Sequence, residues 1–91
     1  MRFNRRSRTE IIVNILKAAE YENKKTQIMY KARLSFKQLE DYLSFLEERG
    51  LIKNRKGNNG KVIGYKTSDK GRKFLRGYKE LISLMTSNNS D

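Results

Sequence analysis

Between Lys53 and Lys79 stand ten cations, Lys53, Arg55, Lys56, Lys61, Lys66, Lys70, Arg72, Lys73, Arg76 and Lys79, against a single acid, Asp69. Lys and Arg at this density do no acid–base or nucleophilic work at neutral pH; their chemistry is the binding of polyanions. Arg2, Arg5, Arg6 and Arg8 form a second basic group near the start. Over the whole chain, 21 Lys+Arg against 10 Asp+Glu leave a formal charge of +11. A surface charged only for solubility intersperses its signs. Here the acids gather elsewhere, in Glu40, Asp41, Glu47 and Glu48. Nucleic acid is the expected partner.

The residue types that are missing narrow the chemistry further. With no Cys and no His, disulfides, thiolate metal sites, the usual zinc sets and the commonest general base are absent from the sequence. A chain of 91 residues buries a modest core but does not also enclose a deep cleft. No enzyme activity, metal or cofactor is expected. Gly57, Gly60 and Gly64 lack the strand, helix and Gly-Lys-Ser/Thr ending of a phosphate loop. No apolar run approaches the roughly 20 residues that span a bilayer, and the first residues lead into an amphipathic segment. A cytoplasmic, nucleoid-associated protein is expected.

Local signals divide the chain into six elements. Ser7-Arg8-Thr9-Glu10 is a capping box, and Ile11, Ile12, Ile15, Leu16 and Ala19 follow on one face, which predicts a helix from about Arg8 to Glu20. Glu22-Asn23-Lys24-Lys25 reads as a polar connection. Thr26 is the expected cap of a short second helix carrying Ile28, Met29 and Ala32, and Arg33-Leu34 is the turn after it. Ser35-Phe36-Lys37-Gln38 is a second capping box, opening a helix with the stripe Phe36, Leu39, Leu43 and Leu46 that stops at Arg49-Gly50. Leu51–Arg55 and Lys61–Lys66 favour strands, and Lys56-Gly57-Asn58-Asn59-Gly60 between them makes a hairpin. Ser68-Asp69 starts the last helix, where Phe74, Leu75, Tyr78, Leu81, Ile82 and Met85 recur with helical spacing. The expected fold is mainly α with a small β-hairpin, a winged helix-turn-helix of order α-α-α-β-β-α. Residues 1–86 form its single domain and 87–91 a polar tail. Most of the nine Tyr and Phe are expected in the core rather than stacked on bases.

This arrangement distributes the candidate contacts. In the third helix Lys37 and Gln38 are the donors for base edges or phosphates, while Glu47 and Glu48 repel them. Asp41 either accepts from a cytosine amino group or orients a neighbouring cation. Lys25, Thr26, Lys31, Arg33 and Ser35 cluster around the second helix and the turn as phosphate contacts, joined by Arg5, Arg6 and Arg8. Arg55, Lys56, Asn58, Asn59 and Lys61 form a wing for the backbone or minor groove. Tyr78, Leu81, Ile82 and Met85 continue the last helix's apolar pattern past what one small domain can cover, and are expected to form a homodimer interface from about residue 68 to 86.

Arg6-Ser7-Arg8, Glu10-Ile11-Ile12, the run Lys25-Thr26-Gln27-Ile28-Met29-Tyr30-Lys31-Ala32, Leu34-Ser35-Phe36, Gln38-Leu39, Tyr42-Leu43, Gly50-Leu51-Ile52 and Ser68-Asp69-Lys70-Gly71 carry a resemblance. Over about residues 6 to 76 the chain resembles the archaeal winged-helix family of predicted transcriptional regulators. That family includes small dimeric chromatin-associated proteins of thermoacidophilic archaea. The resemblance implies a dimeric protein that binds double-stranded DNA, of archaeal or archaeal-virus origin. Some relatives extend the last helix into a long antiparallel coiled coil, whereas here the apolar pattern stops near Met85. The excess of cations over base-reading groups favours a sequence-tolerant chromatin protein. An operator-specific regulator and a protein-interaction module are the alternatives, and RNA stays open because phosphate neutralisation does not distinguish polymers.

Overall fold

The computed structural model describes residues 6–86. Its elements are α1 (Arg8–Ala18), α2 (Lys25–Ala32), α3 (Phe36–Glu48), β1 (Ile52–Lys56), β2 (Val62–Thr67) and α4 (Asp69–Thr86), in the expected order. Arg5 and the polar tail lie outside the described residues.

Both capping boxes form. Ser7 Oγ accepts from the Glu10 amide at 3.1 Å while Glu10 accepts from the Ser7 amide at 3.0 Å, and Ser35 and Gln38 repeat the exchange at 3.1 and 2.9 Å. Each box satisfies two amides that a helix start leaves without a partner. Gly50 ends the α3 segment at φ +72°, the left-handed conformation its sequence position suggested. Arg33 takes the same region at φ 54°, which sharpens the turn between α2 and α3. The core is built from one face of each element: Ile15, Leu16 and Ala19 from the first helical segment, Ile28 and Ala32 from α2, Leu34 from the turn, Leu39, Leu43 and Leu46 from α3, and Ile52 and Tyr65 from the hairpin.

Three expectations are corrected. Thr26 does not cap α2: the helix begins one residue earlier, with Lys24 at the cap position and no side-chain cap bond. The Thr26 side chain stands exposed in the first turn. The first helix ends at Ala18, not Glu20, because its last carbonyls are taken by other elements. Asn23 Nδ2 donates to Ala18 O, the Thr67 amide to Ala19 O, and the Thr67 hydroxyl to Leu16 O at 2.7 Å. The polar connection also does more than link helices. Asn23 exchanges both backbone hydrogen bonds with Tyr65, at 3.0 and 2.9 Å, and lies along the hairpin as a short third edge. The third correction concerns the aromatics: Tyr21, Tyr30, Phe36 and Phe45 are exposed, and Tyr65 alone of the described Tyr and Phe is fully in the core. Phe36 and Phe45 are instead partly covered by cations, with Lys25 Nζ 4.4 Å and Arg49 Cζ 4.7 Å from the ring centres.

The start of α4 locks onto the end of α3. Ser68 Oγ donates to Gly50 O at 2.6 Å and accepts from the Gly71 amide at 3.1 Å, and Lys70 Nζ donates to Arg49 O. Gly71 is buried here because its backbone lies against the Leu51 carbonyl and the Thr67 methyl; a Cβ would overlap both. Gly71→Ala should therefore lower stability by about 1–3 kcal/mol, the range for forcing atoms into a packed site. Gly77, with nothing within 4 Å of where its Cβ would stand, is the control. Gly77→Ala should be neutral or stabilise by up to about 1 kcal/mol. Urea unfolding of the two variants checks the contrast; equal midpoints would contradict the packing.

Candidate nucleic-acid interface

The first turn of α3 projects Lys37, whose side chain is 80% exposed and pairs with Asp41 one turn on, Nζ to Oδ1 3.1 Å. Asp41 thus orients a neighbouring cation, one of the two roles open to it. Gln38 has its carbonyl oxygen held by the Ser35 amide, which leaves its NH2 group as the free donor. Ser35 is exposed but spends its hydroxyl on the cap.

The start of α2 and the first turn of α3 come together through Lys25, whose ammonium lies over Phe36 and 2.9 Å from Glu40 Oε2. Lys31 and Arg33 are exposed and enter no ion pair among the described residues. Arg6 is differently employed. Its guanidinium donates to the carbonyls of Ala32 and Arg33, so it closes the C-terminal end of α2 and stabilises the left-handed turn. Arg8, two residues on, remains exposed.

In the hairpin, the tip is organised by its own local hydrogen bonds. The Gly57 amide donates to Lys61 O at 2.8 Å, Asn59 Oδ1 accepts from the Lys61 amide at 3.0 Å, and Gly60 turns at φ +81°. Lys56, Asn58 and Lys61 are left exposed. The base of the wing is braced on two sides. Asn54 Nδ2 donates to the Glu47 carboxylate on α3, and Arg55 makes a two-pronged pair with Glu22, Nε to Oε1 2.7 Å and Nη2 to Oε2 2.6 Å. The bonds from Arg55 hold the Glu22 carboxyl below the ordinary Glu range, with Lys66 adding to the effect, and Glu22 in turn raises the Arg55 guanidinium. Burial pushes the Tyr65 hydroxyl up, and Glu47 adds to the shift.

The candidate cations therefore fall into two sets. Arg8, Lys31, Arg33, Lys56 and Lys61 are exposed and outside the ion pairs of the described residues, whereas Arg6, Lys25, Lys37 and Arg55 already have oxygen partners. The acidic half of α3 accounts for part of this, since Glu40 and Asp41 each take a cation beside the exposed turn. Glu22 and Asn23 were not singled out from sequence, where they read as linker. One signal pointed at them: an isolated Gly64 inside a strand pattern marks a place where another group approaches closely. No cluster of His, Cys, Asp or Glu suited to a metal exists among the described residues, and no helix there is long and apolar enough to cross a membrane.

Comparison with known proteins places the arrangement. An uncharacterized protein of Methanocaldococcus jannaschii is 33% identical over 84 residues, covering 91% of this chain and 80% of its own. Among solved structures, Sso10a-2, a DNA-binding protein from Sulfolobus solfataricus, superimposes with a TM-score of 0.76 at 24% identity, over 88% of this chain and 82% of that one. The transcriptional regulator BldR from the same organism gives 0.68 at 18% identity, over 89% and 63%. FabT of Streptococcus pneumoniae, solved in complex with DNA, gives 0.64 at 24% identity, over 93% and 60%. At these identities the structures share a fold. The sequence profile of the winged helix-turn-helix family matches residues 5–86, nearly the whole chain, and the chain belongs to that family.

Proposed function

We propose that the protein binds double-stranded DNA with little sequence preference, as a homodimer held by α4. The observation that carries the reading is the state of the α3 donors. Lys37 is paired and Gln38 is half-occupied by its cap, so few groups on the exposed turn are free to read base edges. The unpaired cations lie instead at the α1 start, along α2 and its turn, and on the wing, where phosphates are the natural ligands. The DNA-binding relatives of the same fold support the assignment. An architectural role along duplex DNA fits these contacts better than readout of one operator.

The dimer rests on α4. Phe74 and Leu75 pack on the core, but Leu81 and Met85 are 56% and 77% exposed, with Ile82 and Leu84 beside them. Tyr78 is half-buried. A second copy presenting the same face would remove this apolar surface from water.

Binding to matched duplexes of unrelated sequence, with a single strand as the comparison, tests the reading. Lys56→Ala with Lys61→Ala should weaken every duplex to a similar degree and flatten the salt dependence, whereas Gln38→Ala should change affinity less than about twofold. A duplex bound a hundredfold more tightly than the others, and lost in Gln38→Ala, would make the protein an operator-specific regulator. Equal affinity for the single strand would redirect the reading to RNA or single-stranded ligands.

A further inference from the structure

Glu22, Gly64 and Arg55 occupy three neighbouring backbone segments. Arg55 is the register partner of Gly64 across the hairpin, and Asn23, next to Glu22, bridges to Tyr65 on the other side. Gly64 therefore lies between the acid and the base. Its φ is not in the left-handed region, so the backbone there does not itself require glycine. What favours it is the approach of Glu22, whose Cγ and Oε2 would each stand 3.0 Å from a Cβ at this position, so that the Glu22 side chain would have to give way slightly. Arg55 reaches across to take that carboxylate with two hydrogen bonds. The strand register slips at Arg55/Lys56, immediately beyond. Lys56 and Lys61 thus stand past the last brace that joins the wing to the rest of the fold.

We propose that Glu22 is a positioning residue for nucleic-acid binding: acting through Arg55 across the space left open by Gly64, it holds the wing at the angle from which Lys56 and Lys61 reach the phosphates. On this view Arg55 is a structural brace and not a phosphate ligand. The proposal rests on the DNA-binding reading above and adds to it a role for an acid. Its physical basis is preorganisation. A wing already fixed in its bound orientation avoids the ordering cost that a swinging hairpin would incur on binding. A planar guanidinium held by both oxygens of one carboxylate is the side-chain pair best suited to fix an angle.

The sign of one substitution separates this from the simpler view. Glu22→Gln makes a basic protein more basic and frees Arg55, so if Arg55 were a phosphate ligand, DNA binding would tighten. The brace requires the opposite. Glu22→Gln should weaken duplex binding by about three- to tenfold at fixed salt, the scale of a few side chains losing their preset order. Gly64→Ala, which changes no charge, should act in the same direction and to a smaller extent by crowding Glu22. The exchanged pair, Glu22→Arg with Arg55→Glu, should recover most of the affinity. Amide hydrogen exchange on the free variants supplies a reading that needs no DNA: the Gly57 and Tyr65 amides should exchange faster in Glu22→Gln and Gly64→Ala than in the wild type. Duplex affinity equal to or tighter than wild type in Glu22→Gln overturns the proposal. If the wild type binds no duplex at all, the DNA-binding reading fails on its own, and unchanged exchange at Gly57 and Tyr65 in both variants would then overturn the brace separately.

Discussion

Raising salt from about 50 to about 200 mM should weaken duplex binding by about a thousandfold. Each phosphate neutralised by a protein cation releases condensed counterions, and the logarithm of the affinity falls with the logarithm of salt at about 0.9 per phosphate. Arg8, Lys31, Arg33, Lys56 and Lys61 are exposed in each protomer and enter no ion pair among the described residues, which gives a dimer ten such cations. Contact by about six such cations over a fourfold change in salt gives the stated loss. The measurement is a binding titration by fluorescence anisotropy at four or five salt concentrations. A change of less than about fivefold over this range would mean that phosphate contact does not dominate, and the architectural reading would fall with it.

The second large effect is the loss of the dimer. Leu81→Glu combined with Met85→Glu should convert the protein to a monomer in sedimentation and lower its apparent affinity for a long duplex by about a hundredfold or more, because two linked DNA-binding units gain by effective concentration. Both side chains are largely exposed in the single protomer, so the substitutions leave the core of Ile15, Leu16, Ile28, Leu39 and Leu46 intact. Circular dichroism should show the fold retained. The gain from pairing comes from apolar burial at about 25 cal/mol per Å², diminished by the cost of association. A wild-type protein that sediments as a monomer at high micromolar concentration would exclude α4 as a dimer helix. A double variant that stays dimeric would move the interface elsewhere.

What the sequence determined on its own was most of what a few adjacent residues decide, the Thr26 cap excepted. Ser7 with Glu10, and Ser35 with Gln38, announce helix starts because the side chains and the amides they satisfy lie within one turn. Gly50 announces a stop because few other residues take its backbone angles comfortably. The order of elements followed from such signals, and so did the location of the exposed cations on the α1 start, α2 and the wing, while the family came from the resemblance of runs such as Lys25–Ala32. The tertiary structure decided which of those cations are free. Arg6 could be read as basic but not as the closure of α2, since its acceptors are 26 and 27 residues away. Arg55 could be read as a wing cation but not as the partner of Glu22, 33 residues earlier. The end of α1 moved because Thr67, about 50 residues later, and the nearby Asn23 side chain take carbonyls of its last turn. The exposed aromatics were misplaced for a related reason: a core this small is filled by Ile, Leu and Ala with Tyr65, and Phe36 and Phe45 find cations at the surface instead. Local signals fix conformation over one turn of chain, whereas the pairing of charges depends on which surfaces packing brings face to face.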